Sequence, residues 1–142
     1  MNLSNGIKIT KVKAASVTGT TEVLSDVVDM AGYEGVLFFT TIASFNAGNF
    51  IKGRQGTNAT VTDAADLKGS KVVATADGEV VWLDIYRPQE RYVQLSAIRA
   101  GVTTVLGDIY ALQYESRKQI VDNDVTNTIV GKLLISPDEG AA

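Results

Sequence analysis

The tripeptide Asp-Ile-Tyr occurs twice, at Asp84-Ile85-Tyr86 and Asp108-Ile109-Tyr110. Two carboxylates are the minimum equipment for glycoside hydrolysis, one as acid and the other as base or nucleophile. Both acids fall in segments that alternate like strands, near Arg87, Arg91 and Arg99. Surface acids facing arginines are the simpler expectation, and three shared residues do not make an internal repeat. A second cluster, Asp122-Asn123-Asp124-Val125-Thr126-Asn127, offers oxygen ligands at alternate positions, as calcium loops do. The EF-hand form needs glycine at its sixth position and glutamate at its twelfth. Asn127 and Leu133 stand there instead, so the segment reads as a polar turn. A third constellation is aromatic. Trp82, Tyr86 and Tyr92 project outward from expected strands and have the makings of a sugar-binding platform. Such side chains more often bury an apolar body in a core or subunit interface. Arg87, Arg91 and Arg99 suit interfacial ion pairs with the many acids.

The 142 residues contain no histidine and no cysteine. A Ser-His-Asp triad, an imidazole base, a cysteine nucleophile, a disulfide and thiolate or imidazole metal sites are all excluded. Gly48, Gly53 and Gly56 match neither GxGxxG nor a phosphate loop. The expectation is a protein without catalytic residues, metal or cofactor. A net charge of −3 is not the basic surface a nucleic-acid partner calls for. No apolar run approaches the roughly 20 residues of a membrane helix. The first six residues lack the basic start and apolar run of a signal peptide, so synthesis in the cytoplasm is expected. The sequons Asn2-Leu3-Ser4 and Asn58-Ala59-Thr60 then have no glycan to receive.

The elements that must position these residues are strands. Val (17), Ile (10) and Thr (14) are β-branched and fit a pleated sheet better than a helix. The alternation predicts an edge strand over 7–14, with a phase slip at Lys11-Val12-Lys13 and its lysines on one side as a guard against edge pairing. Further strands are expected over 22–30, 36–42, 49–55, 71–75, 79–86, 91–99 and 108–114, with a loop or short strand in 101–107. Val36, Phe38, Thr40 and Ile42 share one face of their strand, and Leu37, Phe39 and Thr41 the other. Val81, Leu83 and Ile85 face the core, while Val80, Trp82, Asp84 and Tyr86 point away. Thr62 to Gly69 reads as one helical turn with Thr62 as N-cap and Gly69 left-handed at its end. Ala76-Asp77-Gly78 reads as a tight hairpin. About eight strands and no long helix make an all-β fold, an antiparallel β-sandwich of the jelly-roll type.

Residues 1–115 are expected to form this body, with 1–14 as an N-terminal edge strand or arm, and 116–142 to form a C-terminal arm. The arm holds three apolar clusters, Ile120-Val121, Ile129-Val130 and Leu133 to Ile135. Disordered tails normally lack such clusters. They read either as edge strands of the same sandwich or as an extended arm that adds strands to a neighbouring subunit.

The segments Val27 to Phe38, Asp63 to Gly69, Asp84 to Pro88 and Arg91 to Leu95, in this order and followed by a basic and apolar tail, resemble the small jelly-roll head decoration (cement) proteins of tailed bacteriophages. The resemblance covers roughly residues 22–119. It implies a structural virion protein made in the host bacterial cytoplasm and seated on the capsid exterior. Its partner would be the major capsid protein, and its assembly a homo-oligomer, a trimer above all, without direct contact to nucleic acid or membrane. The residues expected at a capsid or subunit interface are Trp82, Tyr86, Arg87, Arg91, Tyr92, Arg117, Lys118, Ile120, Val121, Ile129 and Val130. A head–tail or tail component and a carbohydrate- or receptor-binding module are the alternatives.

Overall fold

A computed structural model of the chain describes residues 2–117, 123, 129–136 and 138–141. One helical turn, Leu3–Gly6, precedes twelve strands: β1 (Lys8–Lys13), β2 (Ser16–Gly19), β3 (Val23–Leu24), β4 (Val28–Asp29), β5 (Gly35–Ile42), β6 (Asn49–Gly56), β7 (Ala65–Asp66), β8 (Val72–Val73), β9 (Glu79–Tyr86), β10 (Tyr92–Arg99), β11 (Thr104–Leu106) and β12 (Ile109–Tyr114). They build two six-stranded sheets. In the first, β12 lies between β1 and β5, β9 flanks β5 on its other side, and β11 links β5 to β2. In the second, β10 and β6 form the central pair. β3 and β4 follow one another along β10, and β7 and β8 along β6. All pairings among the described residues are antiparallel. With β3–β4 and β7–β8 each taken as one interrupted strand, and β2 and β11 as an extension, the sheets read 1-8-3-6 and 2-7-4-5.

The all-β expectation holds, and the period-2 pattern explains the core. Val36, Phe38, Thr40 and Ile42 of β5 are buried, whereas Leu37, Phe39 and Thr41 lie on the outer face. Val93, Leu95 and Ala97 of β10 and Ile51 of β6 meet them from the second sheet, and Val81 and Ile85 of β9 extend the same layer within the first. Full burial of a side chain such as Phe38 or Leu95 contributes about 1.5–3 kcal/mol. The phase slip at Lys11-Val12-Lys13 is a β-bulge, the register against β12 shifting between Lys11 and Lys13.

Several local expectations are corrected. The strand expected over 22–30 is split into β3 and β4. Between them the Ser25 N–H donates to the Leu95 carbonyl at 2.9 Å and the Asp26 N–H to the Val12 carbonyl at 2.7 Å, so the chain bridges both sheets. No helical turn forms over 62–69, because Asp63 spends its carboxylate on the Thr57 N–H (2.8 Å) and hydroxyl (2.5 Å) and on the Asn58 amide (2.9 Å). The chain is thereby free to pair as β7 with β6, although Gly69 does take the left-handed conformation (φ +78°). Ala76-Asp77-Gly78 is not a hairpin between neighbours. β8 pairs with β6, and the turn carries the chain to the other sheet, tied by Asp77 Oδ1 accepting from the Phe45 N–H at 2.6 Å. The lysines of β1 do not share a side: Lys8 lies opposite buried Gln113, while Lys11 lies opposite outward-facing Tyr110.

Arg99, expected in an interfacial ion pair, is buried at 4% exposure. Its guanidinium donates to the carbonyls of Thr21 (2.8 Å), Val17 (2.8 Å) and Thr104 (3.0 Å), tying β2 and β11 to the end of β10.

Candidate interaction face

The outer face of the first sheet is built row by row from the strand register. One row runs Lys11, Tyr110, Phe39, Trp82 across β1, β12, β5 and β9. The next runs Ile9, Leu112, Leu37, Asp84, and a third runs Tyr114, Gly35, Tyr86. Val80 lies beyond, opposite Thr41. A solvated sheet face normally alternates to polar residues; here the outward positions are mostly aromatic or aliphatic. Phe39 and Tyr110 stack with ring centroids 5.3 Å apart, and Tyr86 and Tyr114 with centroids 6.3 Å apart. Trp82, Val80 and Tyr86 are 61%, 60% and 52% exposed. Contiguous exposed apolar surface of this kind marks contact sites on soluble proteins.

Polar groups frame the face and fix its rings. The Tyr114 hydroxyl donates to Asp84 Oδ1 at 2.6 Å and the Tyr86 hydroxyl to Glu115 Oε2 at 3.2 Å. Burial, reinforced by the Asp84 carboxylate, holds the Tyr114 phenol well above the usual tyrosine range. Asp108 accepts from the Ala15 N–H (2.7 Å) and the Tyr110 hydroxyl (3.1 Å) and lies 3.6 Å from Lys11. The Ala15 bond above all keeps its carboxyl below the ordinary range. Asp84 is level with Leu112, four residues along β12 from Asp108, so the two acids are offset by about 13 Å along the strands, more than a glycosidase pair tolerates.

At one end of the sandwich a surface hollow of about 460 Å³ is lined by Glu34, Arg87, Arg91 and Arg117 among others. Arg87 lies 3.3 Å and Arg117 3.4 Å from Glu34. Arg91 grips both carboxylate oxygens of Asp29 at 2.8 Å. That fork, first of all, lowers the Asp29 carboxyl below its ordinary range. Arg87 adopts a left-handed backbone (φ +50°) and its guanidinium lies 5.2 Å from the Tyr86 ring, joining the hollow to the aromatic face.

Of the residues expected at an interface, Trp82 and Tyr86 share the outer face of β9, and Arg87 and Arg91 share the end hollow with Arg117. Tyr92 is not part of the same platform: it opens β10 in the second sheet, beneath Arg91. Ile129 is half-buried and Val130 is 91% exposed. Lys118, Ile120 and Val121 lie outside the described residues, as does most of the segment 122–127 read against a calcium loop. Phe39, Leu37, Tyr110 and Leu112 belong to this face without being among the residues expected at an interface. The signal was the two-sided apolar pattern of Gly35–Ile42, which asks either for a buried central strand or for a partner over the outer face.

No protein-family model and no curated protein matches the chain. Among solved structures it is similar to the SPBc2 prophage-derived protein YomS, with a TM-score of 0.46 and 8% sequence identity over 75% of this chain and 91% of that one. Among the described residues no group of acidic side chains could hold a metal ion, and no helix is long and apolar enough to cross a membrane.

Proposed function

We propose that this chain is a non-enzymatic structural protein of a tailed-phage virion, a capsid decoration or cement protein that binds the outer surface of the head and stabilises it. The observation that carries the reading is the outer face of the first sheet, where Phe39, Tyr110, Trp82, Val80 and Tyr86 form an exposed apolar surface on a rigid antiparallel sheet. Broad, shallow and flanked by the Lys11–Asp108 and Arg87–Glu34 ion pairs, it suits a protein partner better than a small molecule. The partner is the major capsid protein. The strand orders 1-8-3-6 and 2-7-4-5 support a jelly-roll body of two nested Greek keys. The body would act as a trimer, with the C-terminal segment as its arm. Repeated over a shell, even modest contacts gain from multivalency.

The test is reconstitution on heads stripped of the protein. Added back, it should sediment with them in many copies and raise the temperature at which they release DNA. Trp82→Ala combined with Tyr86→Ala should weaken both effects with the fold intact. Absence from purified virions would sink the reading. Binding to glycans with quenching of Trp82 fluorescence, and no binding to heads, would replace it with the carbohydrate-binding alternative.

A further inference from the structure

One edge of the first sheet is open. Among the described residues β9 pairs with β5 alone. The Arg87 N–H donates to the Glu34 carbonyl at 2.7 Å, one step beyond the paired Tyr86 and Gly35. Hydrogen bonds in an antiparallel ladder fall on alternate pairs. Ile85, Leu83, Val81 and Glu79 therefore bond to β5, and the main-chain groups of Val80, Trp82, Asp84 and Tyr86 face the free edge. Alongside runs a groove of about 400 Å³ between β9 and β8, lined by Val72, Val73, Ala74, Val81 and Leu83 among others. Exposed edges are commonly guarded by lysine, proline or a bulge. β9 has none of these along its eight residues.

The same chain carries a segment of matching chemistry. In Ile129-Val130-Gly131-Lys132-Leu133-Leu134-Ile135, the side chains of Val130, Leu134 and Ile135 are 91%, 58% and 76% exposed. As a strand it would turn Ile129, Leu133 and Ile135 to one side and Val130, Lys132 and Leu134 to the other. We infer that residues 129–135 of a second copy add to the free edge of β9 as one more strand of the first sheet. Ile129, Leu133 and Ile135 fill the groove. Lys132 lies beside Asp84 on the outer face, with Val130 and Leu134 beside Trp82 and Tyr86, an arrangement that serves either strand direction. The charges agree: β9 carries Glu79 and Asp84 and no cation, and 129–135 carries Lys132 and no anion.

A second copy is favoured over the chain's own β9 because, from Asn123, the segment would have to cross the whole outer face, three strand spacings or about 14 Å, to reach its own free edge. Asn123 Oδ1 accepts from the Ile9 N–H at 2.6 Å, which holds the chain at β1, while β9 is the far edge of that sheet. A segment leaving one edge and received at the other makes a head-to-tail contact, the kind that builds a ring when the rotation between copies closes and a filament when it does not. The inference rests on the reading of the chain as an assembling structural subunit and names the contact by which it assembles.

Mixing unlabelled and ¹⁵N-labelled full-length protein and treating it with a zero-length carbodiimide, which joins lysine amines to carboxylates, tests this directly. The expected product is a Lys132–Asp84 cross-linked peptide in which the two labels are mixed, absent from Asp84→Asn. Val80→Pro removes an N–H at the free edge without touching the β5 ladder, and should shift the sedimenting species to a single chain. Should that variant fail to fold, Asp84→Lys and Lys132→Asp should each weaken association at least tenfold, and their combination restore it. A link found only within one label, a full-length protein that sediments as a single chain, or charge reversals without effect would overturn the inference. Head binding is scored separately: a ring that forms through this contact but leaves heads unbound overturns the decoration reading alone.

Discussion

Tyr114 reaches Asp84 across Gly35: its hydroxyl donates to Asp84 Oδ1 at 2.6 Å, and the glycine lies in the strand between them, opposite both Tyr114 and Tyr86. A Cβ on Gly35 would overlap the phenol end of Tyr114, at Cζ and the hydroxyl oxygen. The glycine is there for close approach, and its two tyrosine neighbours roof the space it leaves. Gly35→Ala is expected to destabilise the protein by about 1–3 kcal/mol, the usual cost of overpacking, and to displace the Tyr114 ring. Urea unfolding reads the first effect and the near-ultraviolet dichroism of the tyrosines the second. Gly140→Ala, at an open position, should do neither.

Trp82 is the single tryptophan and is 61% exposed. Removal of a side chain already in water should leave stability within about 0.5 kcal/mol. Trp82→Ala is therefore expected to match the parent in urea midpoint while losing affinity for its partner surface. In the parent, tryptophan emission should shift to the blue as assembly or docking proceeds. An unchanged spectrum in a complex would place the contact elsewhere.

Arg99 holds three carbonyls at the junction of β2, β10 and β11. Arg99→Met leaves those acceptors without its N–H donors, at about 1–3 kcal/mol where water cannot reach, as at the buried Thr104 carbonyl. Arg99→Lys should recover little, because an ammonium is a single point and cannot cover the spread of the guanidinium fork. The midpoint of chemical unfolding measures both, and amide exchange at Ser16–Gly19 should rise first.

The pH profile of stability should be flat through neutrality and fall at both ends. Asp29, Asp63, Glu79 and Asp108 have carboxyls held below their ordinary values, Asp29 by the Arg91 fork first of all, Asp63 and Glu79 by bonds from Thr57 and Thr75. Lowered folded values mean stability that is present above about pH 4, where the unfolded groups titrate, and lost as pH falls through the folded values. Tyr33 and Tyr114 are raised, chiefly by burial. Their contribution is present below about pH 10 and lost as pH rises toward the folded values. With no histidine in the chain, no side-chain step is expected between about pH 5.5 and 8.5. Urea midpoints across pH 2–11 test all three limbs.

The long strands and their faces were legible because a period of two writes burial directly into the residue order. β5 and β9 carry that alternation in full, and even the slip in β1 surfaced as a bulge. What the residue order could not carry was partnership. Asp77-Gly78 has the local chemistry of a hairpin, yet whether its flanking strands pair is decided by β6, some 25 residues earlier, which takes β8 for itself. Thr62 and Asp63 have the chemistry of a helix start, but Thr57 and Asn58 capture the carboxylate. Arg99 reads as a surface cation because nothing in a sequence announces three carbonyls arriving from β2, from the loop after it and from β11. For the interaction face, Trp82 and Tyr86 could be found from one strand, whereas Phe39 and Tyr110 join them only through register.

The pairing of β1 with β12 also sets a schedule for biosynthesis. Among the described residues β1 (8–13) has a ladder with β12 alone, through residues 109–113, so it must wait until nearly all of the body is made. At about 5–20 residues per second of translation, that delay is some 5–20 s, during which the outer aromatic face is unformed. The residues that follow β12 leave the ribosome after the sheet has what it needs to close. In the assembly proposed above, the segment that reaches the next copy is thus made after the body that receives one, an order of residues that works against linkage of half-made chains.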